Sequence, residues 1–317
     1  MNEAIDRIRE AALANDAQAQ WDLAVCYAQG NGVEQSGAKA FEWVCRAAEN
    51  GHAGAADYVI DAYENGKEEL GIQPDLDKLV EWADKLSENG SAAMRIKYAQ
   101  LCLNRDCCKN TNINGFTGFE RVAELADKGN ITCAYYAYNI GGVIGQINVE
   151  DGIYDCPHME RVIKYMNMLD GTDLKVSAES KSVTWYNYGL TLMKLDKTAE
   201  SMYWFKKAVP HNANAEMIYA CMLNDQASTQ GVNSPLWAEA YKHAKHAVER
   251  NDCEKKKGFE MVTCGILAKM TRNGFGTPVD IDASYDWTVR AANLGSEDAK
   301  RDLPRYHKKL FGGYTFK

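Results

Sequence analysis

The chain has 317 residues, of which 46% are apolar and 25% charged. That is ordinary for a folded soluble protein and long enough for several compact domains or one extended repeat array. The net charge of −8 argues against a general nucleic-acid or anionic-membrane surface, and no run approaches the ~20 apolar residues of a membrane helix. The first residues, MNEAIDRIREAALAND, contain acids and lack the apolar core of a signal peptide, so a cytoplasmic protein is expected.

In chain order, residues 1–15 predict an N-terminal capping helix, with Asn2 to Ala14 as its body. Ala19, Leu23 and Tyr27 then recur at i, i+4 and i+8, the stripe of an amphipathic helix. Gly30-Asn31-Gly32 follows. A dinucleotide loop needs G-x-G-x-x-G between a strand and a helix. Here position 35 is Gln and the preceding segment is helical, so the glycines predict a turn. Ala40, Trp43, Val44, Ala47 and Ala48 form a second stripe, with Trp43 expected in the core, and Gly51 stops that helix.

The pattern then recurs. FEWVCRAAENG, LVEWADKLSENG and YDWTVRAANLG each end in a glycine eight residues after Trp43, Trp82 and Trp287. FERVAELADKG, VIKYMNMLDG, YWFKKAVPHN and HAKHAVERND end in the same way at Gly129, Gly171, Asn212 and Asp252. The spacing is about 40 residues, as in stacked helical-hairpin repeats. One hairpin cannot bury its own stripe, so stacking is obligatory. The prediction is an all-α, right-handed α-solenoid of about seven helix-turn-helix repeats. It is a single domain over 1–317, with repeats over 16–300 and a C-terminal cap and basic-aromatic tail over 301–317. A last helix is expected over Asp302–Leu310.

YxxGxGV followed by KAxxWxxxAAxxG, carried by Tyr27, Gly30, Gly32, Val33, Lys39, Ala40, Trp43, Ala47, Ala48 and Gly51, resembles the Sel1-like repeat, a relative of the tetratricopeptide repeat. The second unit keeps Tyr63, Gly66, Gly71, Trp82 and Gly90. The last keeps Gly274, Gly276, Val279, Asp280, Trp287, Ala291, Ala292 and Gly295. The units between depart from the pattern, and the fifth, around Trp185 to Val209, is closer to a tetratricopeptide unit.

The resemblance implies a non-catalytic adaptor or scaffold that binds a protein or peptide in a concave groove lined by the first helix of each repeat. Carried onto this chain, the groove residues are Trp21, Val25 and Gln29 in the first unit and Asp57 and Asp61 in the second. Tyr186, Leu190 and Lys194 follow in the fifth, and Met217 and Asn224 in the sixth. Some secreted, cysteine-rich relatives are associated with β-lactam binding or hydrolysis, which leaves an enzyme as the alternative. Their paired cysteines are missing here, because Ala48 and Ala55 stand where such a pair would fall.

Other chemistry is sparse. The ten cysteines include no C-x-x-C; Cys102, Cys107 and Cys108 have no second pair to complete a zinc site, and reduced, buried thiols are expected. Glu239, His243 and His246 share a helical face that could hold a divalent ion, or else form a polar outer surface. Cys156-Pro157-His158 lacks an orienting third group. No cofactor is expected. The ending KRDLPRYHKKLFGGYTFK puts six basic residues against one acid within residues 300–317. It serves either as a cap over the last unit or as a recognition segment for a partner or for another copy of the protein.

Overall fold

The computed structural model describes residues 3–88, 90–104, 114–252, 254–310 and 312–317. Among them are sixteen α-helices and one small sheet. The helices are α1 (Glu3–Leu13), α2 (Ala17–Gln29), α3 (Gly37–Glu49), α4 (Ala53–Asn65), α5 (Leu76–Glu88), α6 (Ala92–Leu103), α7 (Gly115–Asp127) and α8 (Ile131–Glu150). They continue as α9 (Cys156–Met168), α10 (Ala178–Lys194), α11 (Thr198–Ala208), α12 (Ala213–Gln230), α13 (Leu236–Glu249), α14 (Lys257–Asn273), α15 (Ile281–Asn293) and α16 (Glu297–Asp302). The chain is an all-α helical-repeat protein. No helix among the described residues is long and apolar enough to cross a membrane.

The chain divides into two compact units, one of residues 1–144 and 162–174, the other of 145–161 and 175–317. Helices α8 and α9 both cross this boundary. The first unit carries 24 acidic and 14 basic residues, net −10, and the second 20 and 22, net +2.

In the first unit the helices are short and regular because each start and stop is written locally. Asp16, Ser36, His52 and Ser91 cap α2, α3, α4 and α6 by accepting a backbone N–H from the third helical residue, which satisfies an otherwise orphaned donor. Gly30 ends α2 in the left-handed region at φ 74° and donates its N–H to the Cys26 carbonyl. The paired glycines are therefore a turn.

Leu23 is fully buried and packs with Ile5, Ala12 and Ala19, so α1 covers the open face of α2. Gln20 ties three helices: its side-chain amide donates to the Ala12 carbonyl at 3.0 Å, and its oxygen accepts from Asn50 at 2.9 Å. Val44, Val59, Tyr63, Val80 and Tyr98 continue the core through α3 to α6. Trp43 is only half-buried, packed at the edge of two clusters with the Arg46 guanidinium 4.6 Å above its ring. The alanines beside it bring the helices close enough to fill the centre without the indole.

In the second unit α10, α12 and α14 are longer, at 17, 18 and 17 residues. Their core joins Phe205, Tyr219, Leu223, Trp237 and Met270, then Ala244, Leu267 and Ala291. Gly276 lies so close to α13 that an added Cβ would fall 2.1 Å from the Trp237 carbonyl oxygen.

The chain's end corrects the expected helix over Asp302–Leu310. α16 stops at Asp302, a short 3₁₀ turn spans Leu303–Arg305, and strands β1 (Tyr306–Lys308) and β2 (Tyr314–Phe316) pair antiparallel. Pro304 cannot continue the helical ladder, and in β1 only Tyr306 is buried while His307 and Lys308 are exposed.

Candidate interaction surface

The groove predicted from sequence draws on both units. In the first, Val25, Gln29 and Asp57 are exposed, while Trp21 and Asp61 are half-buried. Trp21 lies flat on His52, with ring centroids 5.0 Å apart and planes 11° from parallel, and meets Tyr58 edge-on at 6.1 Å. It thus links α2 to the start of α4.

Asp57 and Asp61 line a trough between α4 and α6. One part, 210 Å³, is walled by Asp57, Ile60, Asp61, Glu64, Ala93, Met94 and Lys97. An adjoining part of 280 Å³ shares Asp57, Ala93 and Met94 and runs to Gly51, Ala53, Ala56 and Leu86. Its floor is therefore small and apolar and its rim acidic. Three of the rim carboxylates are neutralised internally: Asp61 by Lys67 at 2.5 Å, Glu64 by Lys97 at 2.8 Å, and Glu49 by Lys85. Hydrogen bonds from Lys67 and Asn65 hold the Asp61 carboxyl below its ordinary range. Asp57 alone on this rim has no hydrogen bond or ion pair.

Sequence reasoning missed Ala93, Met94 and Lys97. Carrying the ~40-residue register from Asp57 into the third unit, which lacks the tryptophan, leads to them.

In the second unit three predicted groove residues are buried instead. Tyr186 is 6% exposed, Leu190 9% and Met217 0%. Tyr186 and Leu190 pack in the α10–α12 core, Tyr186 against Phe205 with centroids 6.1 Å apart. Burial pushes the Tyr186 hydroxyl up to about 12. Met217 packs with Ala244 and Leu267. The longer helices of this unit bury a face that the shorter ones leave open. Lys194 is exposed, and half-buried Asn224 donates to Asp225 at 3.2 Å.

Glu239, His243 and His246 do not converge on a shared point. Glu239 accepts from the Tyr219 hydroxyl at 3.1 Å. His243 and His246 turn their Nδ1 atoms to Glu216 of α12, at 2.9 and 2.8 Å, and Arg250 adds a third contact at 3.3 Å. Glu216 is 1% exposed. Burial alone would raise its carboxyl, but the hydrogen bonds from His243 and His246 prevail and hold it below the usual range. Among the described residues no group of three or more His, Cys, Asp or Glu could hold a metal ion.

Cys156 and His158 sit in the first turn of α9, where the His158 N–H donates to the Asp155 carboxylate that caps it. Cys26, Cys45, Cys133, Cys156, Cys221 and Cys264 are free thiols. Cys107 and Cys108 lie outside the described residues.

The tail packs on its own repeat. The Tyr306 hydroxyl bonds Ser284 at 2.6 Å and Thr288 at 2.9 Å, and Tyr314 stacks on Tyr285 at 3.9 Å. Phe316 lies between the guanidinium groups of Arg272 and Arg305, at 4.0 and 4.2 Å.

The Sel1 repeat family model matches the chain at residues 17–52, 182–209 and 266–296. These are the ends and the fifth unit. A Sel1 repeat protein from Oxalobacter formigenes is 20% identical over 96% of this chain and 80% of its own, with a TM-score of 0.36. The protective antigen c5321 of uropathogenic Escherichia coli, which displays an SLR fold, is 18% identical over 95% and 66%, with a TM-score of 0.34. No curated protein matches the chain.

Proposed function

From a chain that carries Sel1 repeats at three places, we propose a non-catalytic adaptor or scaffold that binds a protein or peptide partner. Sel1-repeat proteins generally mediate protein–protein interaction. The observation that carries the reading for this chain is the α4–α6 trough. It has an apolar floor for side chains, as helical-repeat grooves require, and an unpaired carboxylate at Asp57. Asp57 and Asp61 of α4 line it, and Trp21, Val25 and Gln29 of α2, outside its walls, are the further contact residues we assign to the partner. Lys194 and Asn224 are the surface positions retained from the second unit, and Tyr186, Leu190 and Met217 act through packing.

The first unit's net charge of −10 favours a partner segment with basic side chains and disfavours nucleic acid. The test is affinity capture with the intact chain and with Trp21→Ala and Asp57→Lys as parallel baits. A partner held by the intact chain and lost by both variants supports the trough. Equal capture by all three removes it as the binding surface.

A further inference from the structure

The C-terminal hairpin displays what the trough lacks. Its body is pinned: besides the Tyr306, Tyr314 and Phe316 contacts, the Tyr314 N–H donates to the Asp282 carboxylate at 2.6 Å. The turn is closed by Lys309 N–H to the Gly313 carbonyl at 2.9 Å. What projects is Lys308, Lys309 and Leu310. Both lysines are exposed and neither has a carboxylate partner. Leu310 is 91% exposed, the highest value among the large apolar side chains of the described residues. The strands that carry this tip are held against α15, so they need no further ordering on docking.

We infer that the hairpin tip of one copy docks in the α4–α6 trough of a second copy. Leu310 covers the floor of Ala53, Ala56, Ala93 and Met94, and Lys309 or Lys308 supplies the cation that Asp57 lacks. The reading rests on the trough being an interaction surface and names its occupant. The charge distribution supports it, since residues 300–317 are six-to-one basic while the first unit is −10. The contact is heterologous, tip to trough, so a dimer keeps one free tip on one copy and one free trough on the other. Assembly then continues into open chains or closes into a ring. A single hairpin buries little area, so the association is weak, and its charged pair makes it salt-sensitive.

The experiment is light scattering coupled to size exclusion over a wide concentration range, at low and high salt. It uses the intact chain, Asp57→Lys, and Lys308→Glu/Lys309→Glu, each checked for unchanged helicity by circular dichroism. The intact chain is expected to grow in mass with concentration at low salt. Each variant should associate about tenfold more weakly. Mixing the two variants should restore association and growth in mass, because the unaltered tip of one meets the unaltered trough of the other and the two charge-reversed surfaces also complement each other. Combining the three substitutions in one chain should restore growth. An intact chain that stays monomeric throughout overturns the inference, and so does a mixture that forms no dimers. If the monomer nonetheless captures an external protein in an Asp57-dependent way, the trough reading stands and only the occupant is wrong. Loss of both results removes both.

Discussion

Trp21 and His52 form a stacked contact between the first and second repeats. The indole of α2 lies flat on the imidazole that caps α4, 5.0 Å centroid to centroid. His52 Nδ1 accepts the Ala55 N–H at 3.0 Å, so its Nε2 carries the proton that reaches Gln18 at 3.3 Å. One ring thus serves as a helix cap and a stacking platform. Trp21→Ala is expected to lower stability by about 1 kcal/mol, the scale of an aromatic pair beyond its area, while abolishing partner capture. Urea unfolding measures the first effect. A loss of several kcal/mol would show Trp21 to be a core residue.

Leu23, two positions on, faces the other way and is fully buried. Leu23→Ala should cost about 3 kcal/mol through the lost contacts and the cavity left behind. Asp57→Lys, at an exposed position, should stay within about 0.5 kcal/mol of the unchanged protein. The contrast separates scaffold from surface on adjacent helices, and chemical denaturation of the two variants measures it.

The Glu216 carboxylate has its folded-state value lowered by His243 and His246. Its contribution is therefore present above the ordinary carboxylate range and is lost as pH falls through the lowered value. Stability of the second unit should drop on acidification, and Glu216→Ala should remove that slope. Deleting one partner of this buried set is expected to cost about 3 kcal/mol at neutral pH. Thermal melts of both proteins from neutral to acidic pH test this; parallel curves would rule out Glu216 as the source.

Burial pushes the thiol of Cys45 up to about 12, Cys264 to about 12 and Cys221 to about 11. A raised value means the stabilising, protonated form is complete below the ordinary thiol value of 9.0 and is forfeited as pH climbs towards 11 to 12. Native protein at pH 8 should label slowly at these three sites with a thiol-specific disulfide reagent, and unfolded protein at once. Mass spectrometry of the labelled peptides reads the difference.

Gly276 combines φ 70° with a backbone contact to Trp237 that leaves no room for a Cβ. Gly276→Ala should destabilise by about 2 kcal/mol or more. Gly51→Ala, at φ 92° with nothing within 4 Å of the added atom, should cost only the left-handed backbone strain, about 1 kcal/mol. Equal losses at the two sites would mean that packing against α13 adds nothing.

The repeat was legible because its punctuation is local. A glycine in the left-handed region, a capping side chain and an apolar stripe each act within one turn of helix, so periodic spacing alone specifies where hairpins begin and end. Gly30, Gly51 and the alanines beside Trp43 could be read in this way, and so could Trp21 and Asp57 as neighbours on one side of successive first helices. Tertiary structure decided which of those sides stays open. In α4 the neighbouring helix leaves Asp57 over a trough, whereas the longer α10 and α12 bury Tyr186, Leu190 and Met217 at equivalent positions. Trp43, which pattern placed in the core, sits at its edge under Arg46. His243 and His246 shared a face with Glu239, yet both turn to Glu216, 27 and 30 residues earlier. Burial and charge pairing depend on residues brought from distant parts of the chain, and a periodic sequence states the period without stating what each face will meet.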